Sequence, residues 1–171
     1  MIGEGRGFDD LVLRDAVVAD FEAMLRLNLE SEHFLSPLDS AQLAALYGEA
    51  AHRRVVVGAG QVLGFLLAFR AGANYTSPNY QWFCARFANF LYIDRIVIDA
   101  MARGRGLGLL FYRDLFASAR AQGIARVTCE YDIEPPNEGS RRFHARLGFR
   151  EIGTQRVADG KKAVSLQEVL L

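Results

Sequence analysis

The residues best suited by type and spacing to do chemistry lie in Ala102-Arg103-Gly104-Arg105-Gly106-Leu107-Gly108, where glycine occupies alternate positions and arginine two of the gaps. A glycine-rich turn that opens a helix leaves several backbone N–H groups unpaired and pointing one way. The helix dipole adds partial positive charge, so the site suits an anion, most often a phosphate. The flanking sequence supplies the elements such a loop needs. Phe90 to Asp99 is mostly apolar or β-branched and reads as a strand. Leu107, Leu110/Phe111, Leu115 and Ser118/Ala119 recur at the three-and-four spacing of one helical face. Gly123 stands where a left-handed C-cap is wanted. A P-loop requires Lys-Ser/Thr after its last glycine, and Leu109-Leu110 follows here. The dinucleotide fingerprint requires G-x-G-x-x-G spacing and a second βαβ half, and this chain has neither.

What remains, Arg103-x-x-Gly106-x-Gly108 after a strand, resembles the acetyl-CoA pyrophosphate loop of the GNAT N-acetyltransferase superfamily, whose signature is Arg or Gln, two residues, Gly, one residue, Gly or Ala. A second stretch, Asn137-Glu-Gly-Ser140-Arg-Arg-Phe143-His144-Ala-Arg-Leu147-Gly148-Phe149, is similar to the other signature of that family: an Asn opening a short helix, a small residue, an aromatic pair and a closing Leu-Gly-Phe. The order agrees, with the strand Arg126 to Tyr131 between. The resemblance extends over most of the chain. It implies a single α/β domain over 1–171, with a mixed, mostly antiparallel, V-shaped sheet flanked by helices on both faces. It implies acetyl-CoA as co-substrate, held by the main chain of Ile96, Val97 and Ile98, by Arg103, Gly104, Arg105, Gly106, Leu107 and Gly108, and by Asn137, Ser140 and Phe143. In that fold the central strand bulges and splays from the next strand, so its backbone pairs with the pantetheine arm like an added strand. A main-chain N–H there polarises the thioester carbonyl.

Acetyl transfer to an amine requires a neutral amine, a held oxyanion and a departing thiolate. Strict alternation places Tyr92, Asp94, Ile96 and Ile98 on one strand face and Leu91, Ile93, Arg95 and Val97 on the other. Asp94 and Glu130, with Asp132 nearby, are the candidate bases. The competing readings are an ion pair of Asp94 with Arg95 and a solvated strand-end charge at Glu130. His144 takes the register at which many family members carry a tyrosine near the CoA sulfur. Phosphinothricin-type members similarly have His there. An imidazole of pKa ~6.5 can protonate a thiolate near neutral pH, although a packing role competes. Asn137 also suits a helix N-cap.

The remaining elements frame this centre. Leu11 to Arg14 is a strand candidate, and Val17, Phe21, Met24/Leu25 and Leu29 mark an amphipathic helix. Asp39 and Gln42 form a capping box for a second helix through Leu43, Leu46 and Tyr47. Arg53 to Val57 and Gln61 to Arg70 read as a hairpin around Gly58-Ala59-Gly60. Residues 71–90 form an aromatic-rich insertion before the central strand, read either as a plug on the sheet or as a lid. As a lid, Trp82 and Tyr80 contact substrate, Asn79 hydrogen-bonds it, and Tyr92 joins them. The tail reads as a hairpin, Arg150 to Val157 and Lys162 to Leu170, around a type I′ turn at Asp159-Gly160.

Composition sets the bounds. The 171 residues suffice for one domain, with residues 1–8 a mobile lead-in. Lys plus Arg and Asp plus Glu balance at 20 each, so no global field draws in nucleic acid or an acidic membrane. Two cysteines, Cys84 and Cys129, suggest a reducing, cytoplasmic setting. His and Cys spacing supports no metal. The expected activity is N-acetylation of a primary amine by direct attack, more readily of a small molecule. A protein or peptide acetyltransferase and a non-catalytic acyl-CoA sensor are the alternatives, and a homodimer is left open.

Overall fold

The computed structural model describes residues 10–171, so the expected lead-in over 1–8 lies outside the described residues. Seven strands form one sheet: β1 Val12–Asp15, β2 His52–Gly58, β3 Gln61–Arg70, β4 Leu91–Ile98, β5 Arg126–Glu134, β6 Arg150–Val157 and β7 Lys162–Leu170. Their order is β1-β2-β3-β4-β5-β7-β6. Every neighbouring pair is antiparallel except β4 and β5. That parallel pair is joined only at Leu91↔Val127 and Tyr92↔Thr128. Beyond it the strands part, which gives the sheet its V.

Helices cover both faces. α1 (Phe21–Leu29), α2 (Ser40–Glu49) and α3 (Pro78–Cys84) pack on one side, where Met24, Leu27, Leu43, Tyr80 and Phe83 meet Phe65, Leu67, Phe69, Tyr92 and Val97. On the other side α4 (Leu107–Ala121) buries Leu107, Phe111, Tyr112, Leu115 and Ala119 against Leu66, Ala68, Leu91, Ile93 and Val127. That is the stripe its spacing predicts. α5 (Glu138–Arg146) follows β5 and turns into β6 at Gly148. α2 starts on the expected capping box: Asp39 Oδ1 accepts from Gln42 N and Asp39 N donates to Gln42 Oε1, both 2.8 Å. No helix among the described residues is long and apolar enough to cross a membrane.

Two local readings are corrected. The β6–β7 connection is a four-residue loop between Val157 and Lys162, with Ala158, Asp159 and Gly160 all left-handed (φ 52, 54 and 80°). Two overlapping turns, closed by Gly160 N to Val157 O and Lys161 N to Ala158 O, replace the two-residue turn expected there. The β2–β3 turn does have the two-residue form, with Ala59 and Gly60 left-handed between the pair Gly58↔Gln61. The second correction concerns β4. Ala68 pairs with Ile93 and Leu67 with Arg95, so Asp94 is an extra residue, a β-bulge. One added residue inverts the alternation beyond it. Ile96 and Ile98 therefore join Leu91 and Ile93 on the α4 face, while Val97 joins Tyr92 on the α1 face.

Candidate active site

The parting of β4 from β5 creates the site. Asp99 N donates to Leu63 O at 2.8 Å, so Asp99 faces β3, and two residues back so does Val97. Ile96 and Ile98 consequently direct their N–H and C=O groups away from β3, into the gap. Arg103 Nε donates to Ile98 O at 3.3 Å on that same side. Val97, expected among the main-chain contacts, is corrected: its backbone serves the β3 ladder and its side chain is in the core.

At the end of β4, Asp99 caps a 3₁₀ turn (Ala100–Ala102) by accepting from Met101 N. The chain then passes through Arg103, Gly104 and Arg105 to Gly106, the N-cap of α4. Gly104 and Gly106 are left-handed at φ 75 and 81°, a conformation that costs a residue bearing Cβ about 1–2 kcal/mol. The first-turn N–H groups of a 15-residue helix are thereby left open toward solvent, with no acidic residue in that turn. Gly108 serves packing. A Cβ there would lie 3.2 Å from Phe143 Cζ and 3.6 Å from Ile98 Cδ1. Three residues expected at the acetyl-CoA site, from β4, α4 and α5, thus meet at one point. Asn137 caps α5, its Oδ1 accepting from Ser140 N at 3.1 Å. This loop, the open strand edge and the α5 cap suit an extended, phosphate-bearing ligand, and Arg103 lies over Ile98 O at that edge.

His144 does not occupy the role expected of it. It is 5% exposed, wedged among Tyr112, Tyr131, Phe143 and Phe149. Nδ1 lies 2.8 Å from Ser140 O, an acceptor, so it carries the proton; Nε2 then accepts from the Tyr112 hydroxyl at 2.7 Å. Burial lowers its pKa below the usual 6.5. A neutral ring with both nitrogens engaged has no proton to give a thiolate. The partner Tyr112, on another helix, engages its second nitrogen.

The two carboxylates have different surroundings. Asp94 accepts from Arg95 Nε at 2.6 Å and from the Tyr75 hydroxyl at 2.5 Å. Arg95, also buried, donates further to Asn28 Oδ1 at 2.9 Å and Ser36 Oγ at 3.4 Å. This network ties β4 to α1, to the loop after it and to the insertion. Asp94 is fully committed, and the ion-pair reading replaces that of a base. Glu130 is the reverse. Its Oε1 accepts from the Tyr92 hydroxyl at 2.9 Å, while Oε2 is buried with no hydrogen-bond partner among the described residues. Burial, followed by the charge of Asp94, pushes its carboxyl up to about 8. It sits two residues past the last β4–β5 pair, at the mouth of the gap. Asp132 is paired with Lys162 at 3.1 Å. Cys129 is buried and its thiol pushed well up by that burial, which leaves no thiolate nucleophile.

The insertion is a plug. Tyr80, Phe83 and Phe90 are 0% exposed, and the Tyr80 hydroxyl donates to Arg70 O and accepts from Ala73 N. Tyr80 and Tyr92 therefore support the site from behind, a correction to their expected substrate contact. Trp82 lies against Gly153, where a Cβ would come within 2.6 Å of its ring, and Arg86 covers its other face at 3.6 Å. Asn79 is buried and accepts from Gln155 Nε2 of β6 at 3.0 Å. Sequence reasoning missed Tyr75, Tyr112 and Gln155. Each acts across a long sequence separation that no local pattern records.

A sheet opened between two parallel strands, with a glycine-capped helix at the mouth, defines an α/β domain of the acyltransferase type. The acetyltransferase (GNAT) family model matches residues 19–149, and the chain belongs to that family. Among curated proteins, phosphinothricin N-acetyltransferase of Streptomyces coelicolor is 47% identical over 55 residues, 32% of this chain and 31% of that protein. "Probable glucosamine 6-phosphate N-acetyltransferase 2" of Oryza sativa subsp. japonica is 38% identical over 64 residues, 37% of this chain and 36% of that one. The chain thus spans about a third of the length of the curated relatives it matches. Ard1 from Thermoplasma volcanium has the same fold, with a TM-score of 0.76 at 18% identity over 94% of this chain and 97% of that one.

Proposed function

We propose that the protein transfers the acetyl group of acetyl-CoA to the primary amine of a small molecule by direct attack. The observation that carries this reading is the parting of β4 from β5, which turns the N–H groups of Ile96 and Ile98 into a gap with Glu130 at its mouth. In this arrangement the loop through Gly104 and Gly106 and the start of α4 hold the pyrophosphate. A β4 N–H meets the charge that develops on the thioester oxygen. The acceptor nitrogen attacks the carbonyl carbon, a C–N bond forms and the C–S bond breaks. The ammonium proton passes to Glu130, whose Oε2 has acceptor capacity left, directly or across one water. CoA leaves as a thiolate. A thiol of pKa ~8.5 is a good leaving group, so no protein acid is required where His144 was expected.

The two curated relatives bear the names of small amine substrates, which supports a small acceptor here. The anchored insertion supports it too, because it closes the α1 face beside Glu130 with a fixed wall. The unpaired cysteines Cys84 and Cys129 suit a cytoplasmic setting, where acetyl-CoA is made and used. Free-thiol release from acetyl-CoA tests the reading across small amines, amino acids and short peptides. Turnover with small amines, rising with pH to about 8 and losing that limb in Glu130→Gln, is the expected result. Turnover confined to peptides would replace the acceptor class. A variant with wild-type rate and pH profile would remove Glu130 as base.

A further inference from the structure

Asp94 and Arg95 are neighbours in sequence, yet their side chains meet as a buried ion pair, Arg95 Nε to Asp94 Oδ2 at 2.6 Å, with only 3% and 5% of the two side chains exposed. On a regular strand successive side chains point to opposite faces of the sheet. The bulge brings both to the α1 face, where Asp94 meets Tyr75 of the insertion and Arg95 meets Asn28 of α1. We propose that Asp94 and Arg95 are positioning residues that act through Ile96: their pair holds the bulge in place, and so fixes which β4 N–H faces the thioester.

The bulge decides the phase of everything after it. As paired, Val97 and Asp99 turn toward β3, and Ile96 turns its N–H into the gap. Without an extra residue, the alternation carried on from Ile93 would be the opposite. The Ile96 N–H would then bond to β3 and the Val97 N–H would face the gap. In that phase Asp94 and Arg95 would also stand on opposite faces, and the pair could not form. The ion pair and the productive phase therefore exist together.

Three other segments hold the pair. Asp94 Oδ1 accepts from the Tyr75 hydroxyl at 2.5 Å, and the Tyr75 ring stacks on Phe69 of β3 with centroids 4.7 Å apart. Arg95 Nη1 donates to Asn28 Oδ1 at 2.9 Å. The other end of that amide, Asn28 Nδ2, donates to Ser36 O at 3.1 Å and ties down the loop after α1. A buried ion pair adds little net stability over apolar side chains of similar volume, and its best-attested use is to set register. Here the register it sets lies one residue from the oxyanion donor. This inference rests on the reading of the gap as the acetyl-CoA site, but half of its test needs neither ligand nor turnover.

Backbone amide exchange of the full chain, read residue by residue by NMR without ligand, tests the phase. In the wild type the Ile96 N–H should exchange faster than the Val97 N–H, because only Val97 belongs to the β3 ladder. Asp94→Leu/Arg95→Met replaces the pair with apolar side chains and should keep the fold. In it the ratio of the two rates should fall by about tenfold or more. Its kcat at saturating acetyl-CoA should drop by about tenfold or more, as a misplaced oxyanion donor requires. Tyr75→Phe takes one donor from Asp94 and keeps the ring on Phe69, so it carries the test even where the double variant does not fold; its ratio should move the same way by a smaller factor. Leu46→Ala, on α2, loosens the same core away from β4 and should lower the melting point with the ratio in place. A wild-type ratio in the folded Asp94/Arg95 and Tyr75 variants would overturn the proposal. If the ratio moves while kcat stays, the lock on the bulge stands and Ile96 is removed as the oxyanion donor. If no amine turns over with the wild type, acetyl transfer falls and the ratio alone decides the lock.

Discussion

Glu130 should make the protein less stable as the pH rises, and Glu130→Gln should abolish that loss. Among the described residues the carboxyl has one hydrogen-bond donor, Tyr92, on Oε1, and its Oε2 is buried with none. Its midpoint is pushed from 4.5 to about 8 in the folded protein. The sign follows from proton counting. Between these values the unfolded chain has released the proton and the folded chain retains it, so stability falls with rising pH. The penalty is absent below 4.5 and complete above about 8. A span of about 3.5 units at ~1.36 kcal/mol each gives about 5 kcal/mol as the full effect, and about 3 kcal/mol near pH 7. A glutamine keeps the shape and accepts from Tyr92 without titrating. Urea unfolding of both proteins from about pH 5 to about pH 9 checks this. The curves should coincide at the acid end and separate toward the alkaline end. The variant's melting point should rise there by roughly 10–20 °C for a chain of this size. Parallel curves, or a wild type that gains stability over that range, would refute the reasoning.

Two further substitutions probe the frame. Gly64→Ala places a Cβ 2.7 Å from Val97 O and 3.5 Å from Ile98 Cα, main-chain atoms that cannot rotate aside. It should cost about 1–3 kcal/mol and, by pressing β4 toward the gap, raise the KM for acetyl-CoA; a wild-type melting point together with a wild-type KM would contradict it. Asp94→Asn leaves the Arg95 guanidinium buried without its counter-charge, at about 3–5 kcal/mol. It also removes a charge that raises Glu130, so the Glu130 midpoint should move down, which a ¹³C NMR titration of that carboxyl reads.

The glycine-rich loop, the helix behind it and the α5 cap were legible in the sequence because each depends on a few neighbouring residues. Gly104 and Gly106 are needed for their backbone angles, Gly108 for the approach of Phe143, and Asn137 for one capping bond. The parting of β4 from β5 came from the family resemblance, since no pattern within either strand announces it. The faces of β4 were misread for a definite reason: nothing in Leu91–Ile98 marks Asp94 as the extra residue, yet that one insertion exchanges the sides of everything after it. His144 and Asp94 were misassigned on similar grounds. Their neighbours in sequence pointed to function, and Tyr112 and Tyr75 engage them from 32 and 19 residues away.

The bulge also explains why two carboxylates so near each other need not share one role. Asp94 receives a guanidinium and a phenol, so both its oxygens are engaged. Glu130 accepts from the Tyr92 phenol on Oε1 alone, and burial followed by the nearby charge of Asp94 raises it. A strictly paired β4 would carry no extra residue between Ile93 and Arg95, and the bulge is what seats Asp94 there, held by Arg95 and Tyr75.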